Sequence, residues 1–157
     1  MKLYILRHGE AEPFASHDSL RPLTARGQSD VERAVRSKFQ ELSQVERVLV
    51  SPYLRAQQTA DIVKAVFPNH VFDECNLLVP DASPIVLLDY LNSLFEKEDL
   101  ESLLLVSHQP LVGTLIDGLS GADPGRYFMG TAALAALDCE IVAAGCADVQ
   151  WLINPND

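Results

Sequence analysis

The feature of this sequence that most constrains the fold is a set of three short, mostly apolar segments, at 2–6 (KLYIL), 47–50 (RVLV) and 103–106 (LLLV). Their apolar residues are continuous rather than alternating, which is typical of strands that are covered on both faces of a sheet. Helical patterns lie between them, and strands that alternate with helices predict an α/β fold. We therefore expect a three-layer sandwich, in which a mostly parallel central sheet is flanked by helices.

The segments between and after these runs carry their own signals. Apolar residues at helical spacing predict four helices, over 24–42, over 56–67, from Ser83-Pro84 onward and over 111–119. Segments 132–138 and 147–153 predict two further strands, and the long loops predicted at 9–23 and 68–82 are candidate binding loops. The chain has 157 residues, close to the usual size of one domain, so we expect a single domain over 1–157.

The charge of the chain is unevenly distributed. Its formal net charge is −10, but residues 1–55 hold nine Lys and Arg against seven Asp and Glu, whereas the rest holds three against fifteen. An acidic chain is not expected to bind nucleic acid, although an anion site in the first third fits this distribution. No apolar run is long enough to span a membrane, and the three cysteines lack CxxC spacing, so we expect a cytoplasmic protein with reduced thiols.

Each of the three predicted strands at 2–6, 47–50 and 103–106 is followed by a polar segment that contains arginine or histidine. The first runs into Arg7 and His8, the second into SPYLR with Arg55, and the third into SHQP with His108. Ligands of parallel α/β sheets bind at the carboxyl ends of the strands, so these side chains are expected to meet in one crevice. Guanidinium groups match phosphate or carboxylate oxygens, so the crevice is a candidate site for a phosphoryl dianion.

Two histidines beside such an anion suggest a reaction as well as binding. Neutral imidazole is a competent nucleophile toward phosphorus, and neighbouring guanidiniums keep it unprotonated by lowering its pKa. The transition state of phosphoryl transfer spreads charge over three oxygens, which need fixed positive donors. We therefore predict phosphoryl transfer to His8, with Arg7, Arg55 and His108 binding the phosphoryl group.

The ordered motifs LRHGEAE, LT-x-x-G at 23–27, SPYLRAQQTA and VSHQP resemble those of the histidine phosphatase (phosphoglycerate-mutase-like) superfamily. Within it, the chain is most similar to the short bacterial phosphohistidine phosphatases of the SixA type. The resemblance implies that His8 is the phosphorylated nucleophile, that Arg7, Arg55 and His108 bind the phosphoryl group, and that Arg21 reaches the same pocket. It also implies a phosphohistidine-carrying partner, such as a phosphotransfer domain of a signalling protein.

Larger members of that superfamily place a carboxylate between the second and third motifs as a general acid. Only 52 residues separate Arg55 from His108 here, and the carboxylates within reach are Glu74 and, less favourably placed, Asp81. An alkoxide leaving group needs a proton, since the pKa of its conjugate acid lies near that of water, roughly 15.7. An imidazole leaving group, whose conjugate acid has a pKa of about 6.5, needs less help. The absence of a clear acid therefore favours phosphohistidine over a sugar phosphate.

Two other functions remain open from the sequence. One is a small-molecule phosphomonoesterase on the same fold, which a well-placed Glu74 would support. The other is a non-catalytic phosphoprotein-binding module, although a module of that kind needs only the arginines and not two histidines. The chain has no nucleotide-binding glycine motif and no carboxylate or histidine cluster with two-metal spacing, so we expect neither a cofactor nor a metal ion.

Overall fold

The computed structural model describes residues 1–155 and contains one six-stranded sheet flanked by helices on both faces. Two short 3₁₀ turns lie at Asp18–Leu20 and Asn76–Leu78. In chain order, the other elements are β1 (Lys2–Arg7), α1 (Ala25–Ser37), α2 (Phe39–Ser43), β2 (Arg47–Val50), α3 (Leu54–Val66), β3 (Val71–Glu74), α4 (Pro84–Glu98), β4 (Ser102–Ser107), α5 (Leu111–Ser120), β5 (Leu134–Cys139) and β6 (Ala147–Ile153).

The strands lie in the order β3-β2-β4-β1-β5-β6, and the first four are parallel to one another. Strand β5 pairs antiparallel with β1, and β6 pairs antiparallel with β5. The prediction of a mostly parallel sheet is therefore confirmed. The register places Arg7 beside Ser107, and the Ser51 amide continues the ladder by donating to the Val106 carbonyl at 3.0 Å. The carboxyl ends of β2, β4 and β1 consequently lie side by side.

Each face of the sheet carries its own hydrophobic core, which explains why the central strands are apolar without alternation. In β1, Leu3 and Ile5 pack with α4 and α5 on one face, while Tyr4 and Leu6 pack with α1 and α3 on the other. All four side chains are at most 5 % exposed. Burial of a large apolar side chain contributes about 1.5–3 kcal/mol, so the two cores hold β1 firmly from both sides. The predicted three layers are confirmed.

Side-chain caps begin two of the helices where the sequence predicts them. The Thr24 hydroxyl accepts a hydrogen bond from the Gly27 amide at 2.9 Å, and the Ser83 hydroxyl accepts one from the Val86 amide at 3.3 Å. Caps of this kind satisfy amides that have no partner inside the helix. The helices predicted over 56–67, from Ser83-Pro84 and over 111–119 are confirmed as α3, α4 and α5.

Two sequence-based predictions about secondary structure are wrong. The helix predicted over 24–42 is two helices, because Lys38 leaves the helical region with φ −120° and ψ 34°, and the Phe39 side chain is consequently half exposed. The loop predicted at 68–82 contains strand β3, which pairs with β2 at the edge of the sheet. Only Phe72 and Asp73 of β3 are partly covered, so its sequence lacks the apolar run of a central strand.

Across residues 1–155, none of the helices combines the length and the apolar character needed to cross a lipid bilayer.

Candidate active site

The three strand ends bring together the side chains that the sequence singled out. The rings of His8 and His108 lie with their centroids 5.0 Å apart, and Arg55 Nε lies 3.3 Å from His8 Nε2. The charges of Arg7, Arg55 and Arg21 all act on the His8 ring. Residues from β1, from α3, from the loop before α1 and from the turn after β4 therefore form one positively charged cluster.

The two ring nitrogens of His8 have different hydrogen-bond partners. Nδ1 lies 2.7 Å from the carbonyl oxygen of Gly9, an acceptor, so Nδ1 carries the proton. Nε2 then presents its lone pair, and the Arg55 Nε–H donates to it. Burial, opposed by the Gly9 hydrogen bond and reinforced by the guanidinium charges, lowers the pKa of His8 to about 3. At neutral pH the ring is unprotonated, and a neutral imidazole can act as a nucleophile.

The loop that carries His8 is packed closely against the start of α1. A Cβ on Gly9 would lie 2.6 Å from the Gly27 carbonyl oxygen, and a Cβ on Gly27 would run into the backbone of Glu10. The Thr24 hydroxyl also contacts a Glu10 side-chain oxygen at 3.0 Å. Glycine at both positions allows this approach, because any larger residue would push the segments apart. The LT-x-x-G motif thus packs against the loop that carries His8.

Arg7 and Arg55 are each held by a hydrogen bond to a backbone carbonyl. Arg7 Nη1 donates to the Met129 carbonyl at 2.9 Å, and its guanidinium lies 5.9 Å from the centre of the Phe128 ring. Arg55 Nη1 donates to the Asp18 carbonyl at 2.7 Å. Within residues 1–155, Arg7 Nε is buried without a hydrogen-bond partner. The neutral carbonyl partner of Arg7 leaves its positive charge available for an anionic ligand, whereas Arg55 also faces the Asp18 carboxylate.

Asp18 is a member of the site that our reading of the sequence missed. One carboxylate oxygen lies 2.8 Å from Arg21 Nε, and the other lies 3.2 Å from Arg55 Nη2. Partial burial favours the neutral acid, but the hydrogen bonds and charges of Arg21 and Arg55 outweigh it and keep the pKa of Asp18 below its ordinary value. The carboxylate is therefore ionised. Its spacing of three residues from Arg21 was the available signal.

His108 is also buried and neutral. Its side chain is 1 % exposed, and burial together with the neighbouring His8 lowers its pKa to about 2. Nε2 lies 2.7 Å from the Ser51 hydroxyl oxygen, and the edge of the Tyr53 ring packs against the imidazole at a centroid distance of 5.1 Å. Over the described part of the chain, Nδ1 has no hydrogen-bond partner. Ser51 is a second residue that the sequence did not identify.

Glu74 does not join this cluster. It is exposed at the end of the edge strand β3 and lines a surface pocket with Gln57, Lys64 and Asp73. That pocket contains none of the arginines or histidines described above. Among residues 1–155, no group of three or more His, Cys, Asp and Glu side chains is arranged to hold a metal ion.

Comparison with known proteins places this geometry in a family. Residues 3–76 match the model of the histidine phosphatase superfamily, branch 1. The chain is 32% identical to phosphohistidine phosphatase SixA of Escherichia coli, across 99% of this chain and 94% of that protein. It is 35% identical to a SixA homologue of Haemophilus influenzae, across 85% of this chain and 86% of that protein.

The fold is also similar to that of a solved SixA structure. A structure of the protein histidine phosphatase SixA complexed with tungstate superposes with a TM-score of 0.85 at 31% identity, covering 99% of this chain and 98% of that one. Agreement of sequence and fold over nearly the whole length shows that this chain belongs to the histidine phosphatase superfamily, in the group of SixA-type proteins.

Proposed function

We propose that this chain is a phosphohistidine phosphatase, which removes the phosphoryl group from a phosphorylated histidine on a signalling or phosphotransfer protein. The observation that carries the proposal is the state of His8. Its Nδ1–H is committed to the Gly9 carbonyl, and its Nε2 lone pair faces the guanidinium cluster. The names of its SixA relatives, which are phosphohistidine phosphatases, support the same substrate class.

In the first half-reaction, His8 Nε2 attacks phosphorus. The P–Nε2 bond forms while the P–N bond to the substrate histidine breaks. The other nitrogen of the substrate ring has taken a proton from solvent beforehand, so the imidazole leaves with the electron pair as a neutral molecule. Charge spreads over the three equatorial oxygens during the transfer. Arg7, Arg55 and His108 supply the donors for these oxygens, and Arg21 adds positive charge at the mouth of the site.

In the second half-reaction, water attacks the phosphorus of phospho-His8. A P–O bond forms, the P–Nε2 bond breaks, and inorganic phosphate leaves after releasing a proton to solvent. His8 returns as neutral imidazole, because Nδ1 has kept its proton and its hydrogen bond to Gly9 throughout. The low pKa of His8, about 3, favours this neutral leaving group.

The carboxylates of the site support a substrate with a P–N bond. Asp18 is ionised by its two arginine partners, so it holds no proton to give to a leaving group at neutral pH. Glu74 lies in a separate surface pocket. Neither Asp18 nor Glu74 therefore protonates an alkoxide leaving group, whereas an imidazole whose other ring nitrogen is protonated departs as a neutral molecule.

The test is incubation of the chain with a phosphotransfer domain that carries radiolabelled phosphohistidine. We expect release of inorganic phosphate, a transient acid-labile label on the chain, and loss of both with His8→Ala. His17→Ala removes an exposed histidine and should behave as wild type. Unchanged turnover by His8→Ala would refute the mechanism. Comparable turnover of a simple alkyl phosphate would refute the substrate class and favour the small-molecule phosphomonoesterase. Binding without turnover would favour the non-catalytic module.

A further inference from the structure

We propose that Ser51 is a positioning residue that fixes the tautomer of His108, so that Nδ1–H is directed to the phosphoryl oxygens. This inference rests on the proposed function and adds to it a residue outside the reacting groups. Ser51 follows β2 and is fully buried, next to the turn in which His108 follows β4. Its hydroxyl oxygen lies 2.7 Å from His108 Nε2.

The Ser51 hydroxyl has one hydrogen to donate and two lone pairs that can accept. The oxygen accepts a hydrogen bond from the Tyr53 amide at 3.3 Å, which leaves one hydrogen and one lone pair for His108. If Nε2 carried the ring proton, it would donate to the oxygen, and the hydroxyl hydrogen would be left without an acceptor among residues 1–155. If Nε2 is unprotonated, it accepts the hydroxyl hydrogen and every group is satisfied. Buried polar groups are almost always paired, so the second arrangement holds.

A neutral imidazole has only one ring proton, so an unprotonated Nε2 places that proton on Nδ1. Burial keeps the ring neutral, as the lowered pKa of His108 indicates. Nδ1 is buried and has no partner in the described part of the chain, and its ring packs against that of His8. A buried N–H donor without a partner, beside the nucleophile, is suited to an anionic oxygen of the transferred group.

The backbone around Ser51 is fixed independently of His108. The Ser51 amide donates to the Val106 carbonyl at 3.0 Å, and Gln57 Nε2 donates to the Ser51 carbonyl at 2.8 Å. Because these contacts involve only backbone atoms of Ser51, Ser51→Ala keeps them; besides the contact to His108 it removes, across the described residues, only the hydrogen bond from the Tyr53 amide, at 3.3 Å. Ser107 offers a matched control. It ends the neighbouring strand, is equally buried, and its hydroxyl donates to the Leu78 carbonyl at 2.6 Å rather than to an imidazole.

The test is long-range ¹H–¹⁵N NMR of the full chain labelled with ¹⁵N-histidine at neutral pH, with and without inorganic phosphate. Protonated and unprotonated ring nitrogens resonate far apart, and His108→Gln identifies the signals of His108. We expect a protonated Nδ1 and an unprotonated Nε2. The opposite tautomer, or a ring protonated on both nitrogens, overturns the inference whether or not the chain turns over phosphohistidine.

Ser51→Ala and Ser107→Ala distinguish a positioning role of Ser51 from the general effect of removing a buried hydroxyl. In Ser51→Ala we expect the two nitrogens of His108 to move toward intermediate shifts, and kcat/KM on phosphohistidine to fall about tenfold. In Ser107→Ala we expect the tautomer and the turnover of wild type. A wild-type tautomer in Ser51→Ala, or an equal change in Ser107→Ala, refutes the assignment. Absence of turnover in the wild-type chain, with the expected tautomer present, would instead count against the proposed function.

Discussion

The two buried histidines make the stability of this fold depend on pH in a definite direction. The pKa of His8 is lowered to about 3 and that of His108 to about 2, both mainly by burial, against about 6.5 in an unfolded chain. Between these values the unfolded chain binds more protons than the folded one. The free energy of unfolding therefore keeps its full value above pH 6.5 and decreases as the pH falls below it.

The size of the effect at pH 5 depends little on the folded-state values. At pH 5 an unfolded histidine is about 1.5 pH units below its pKa, which corresponds to about 2 kcal/mol, since one pH unit is about 1.36 kcal/mol. The folded rings remain neutral, because pH 5 lies well above both lowered pKa values. His8 and His108 together therefore remove about 4 kcal/mol of stability, a large part of the 5–15 kcal/mol typical of a domain.

The assay is urea unfolding at pH 7, 6 and 5 and constant ionic strength, for wild type and His8→Asn. We expect the variant to lose about 2 kcal/mol less than wild type between pH 7 and 5. Each protein is compared with itself, so any loss of packing in the variant cancels, as do the carboxylates common to both. His17→Asn, at an exposed position, is the control and should follow the wild-type curve. Equal losses for His8→Asn and wild type would refute the reasoning.

Two further predictions concern the loops around the site. Asp18→Asn should strengthen inhibition by inorganic phosphate about two- to fivefold, because the carboxylate competes with a bound anion for Arg21 and Arg55; weaker inhibition would show that the carboxylate mainly holds the arginines in place. Gly27→Ala should lower the free energy of unfolding by about 3 kcal/mol, measured by urea titration, since its Cβ would run into the Glu10 backbone. An unchanged unfolding midpoint would show that the two segments separate easily.

The layers of the fold and the place of the site could be predicted because both depend on local signals. An unbroken apolar run indicates a strand that is buried on both faces of the sheet. The residues that follow such runs lie at the edge of the sheet where the parallel strands end, which is where ligands bind. The position of His8, Arg55 and His108 after three parallel strands was therefore enough to predict that they lie together. Their catalytic roles stay predictions until they are tested by substitution.

The features that could not be predicted from the sequence depend on contacts between distant segments. Strand β3 is an edge strand with a mixed sequence, so only its pairing with β2 identifies it. Asp18 lies 37 residues from Arg55, with which it pairs, and Ser51 lies 57 residues from His108. A lone serine or aspartate after a strand or in a loop carries no mark of such partners, because the same residue types also form ordinary caps and turns.

The position of β1 has a consequence for the order in which the chain can assemble. The strand that ends at Arg7 precedes both of its neighbours in the sheet, β4 and β5, which come from residues 102–139. Until those residues emerge during synthesis, β1 has two open, apolar edges of the kind that pairs with other chains. The N-terminal half thus contains His8 and Arg55 but lacks His108 and both neighbours of β1. A nascent or truncated chain of that length is therefore expected to be prone to aggregation.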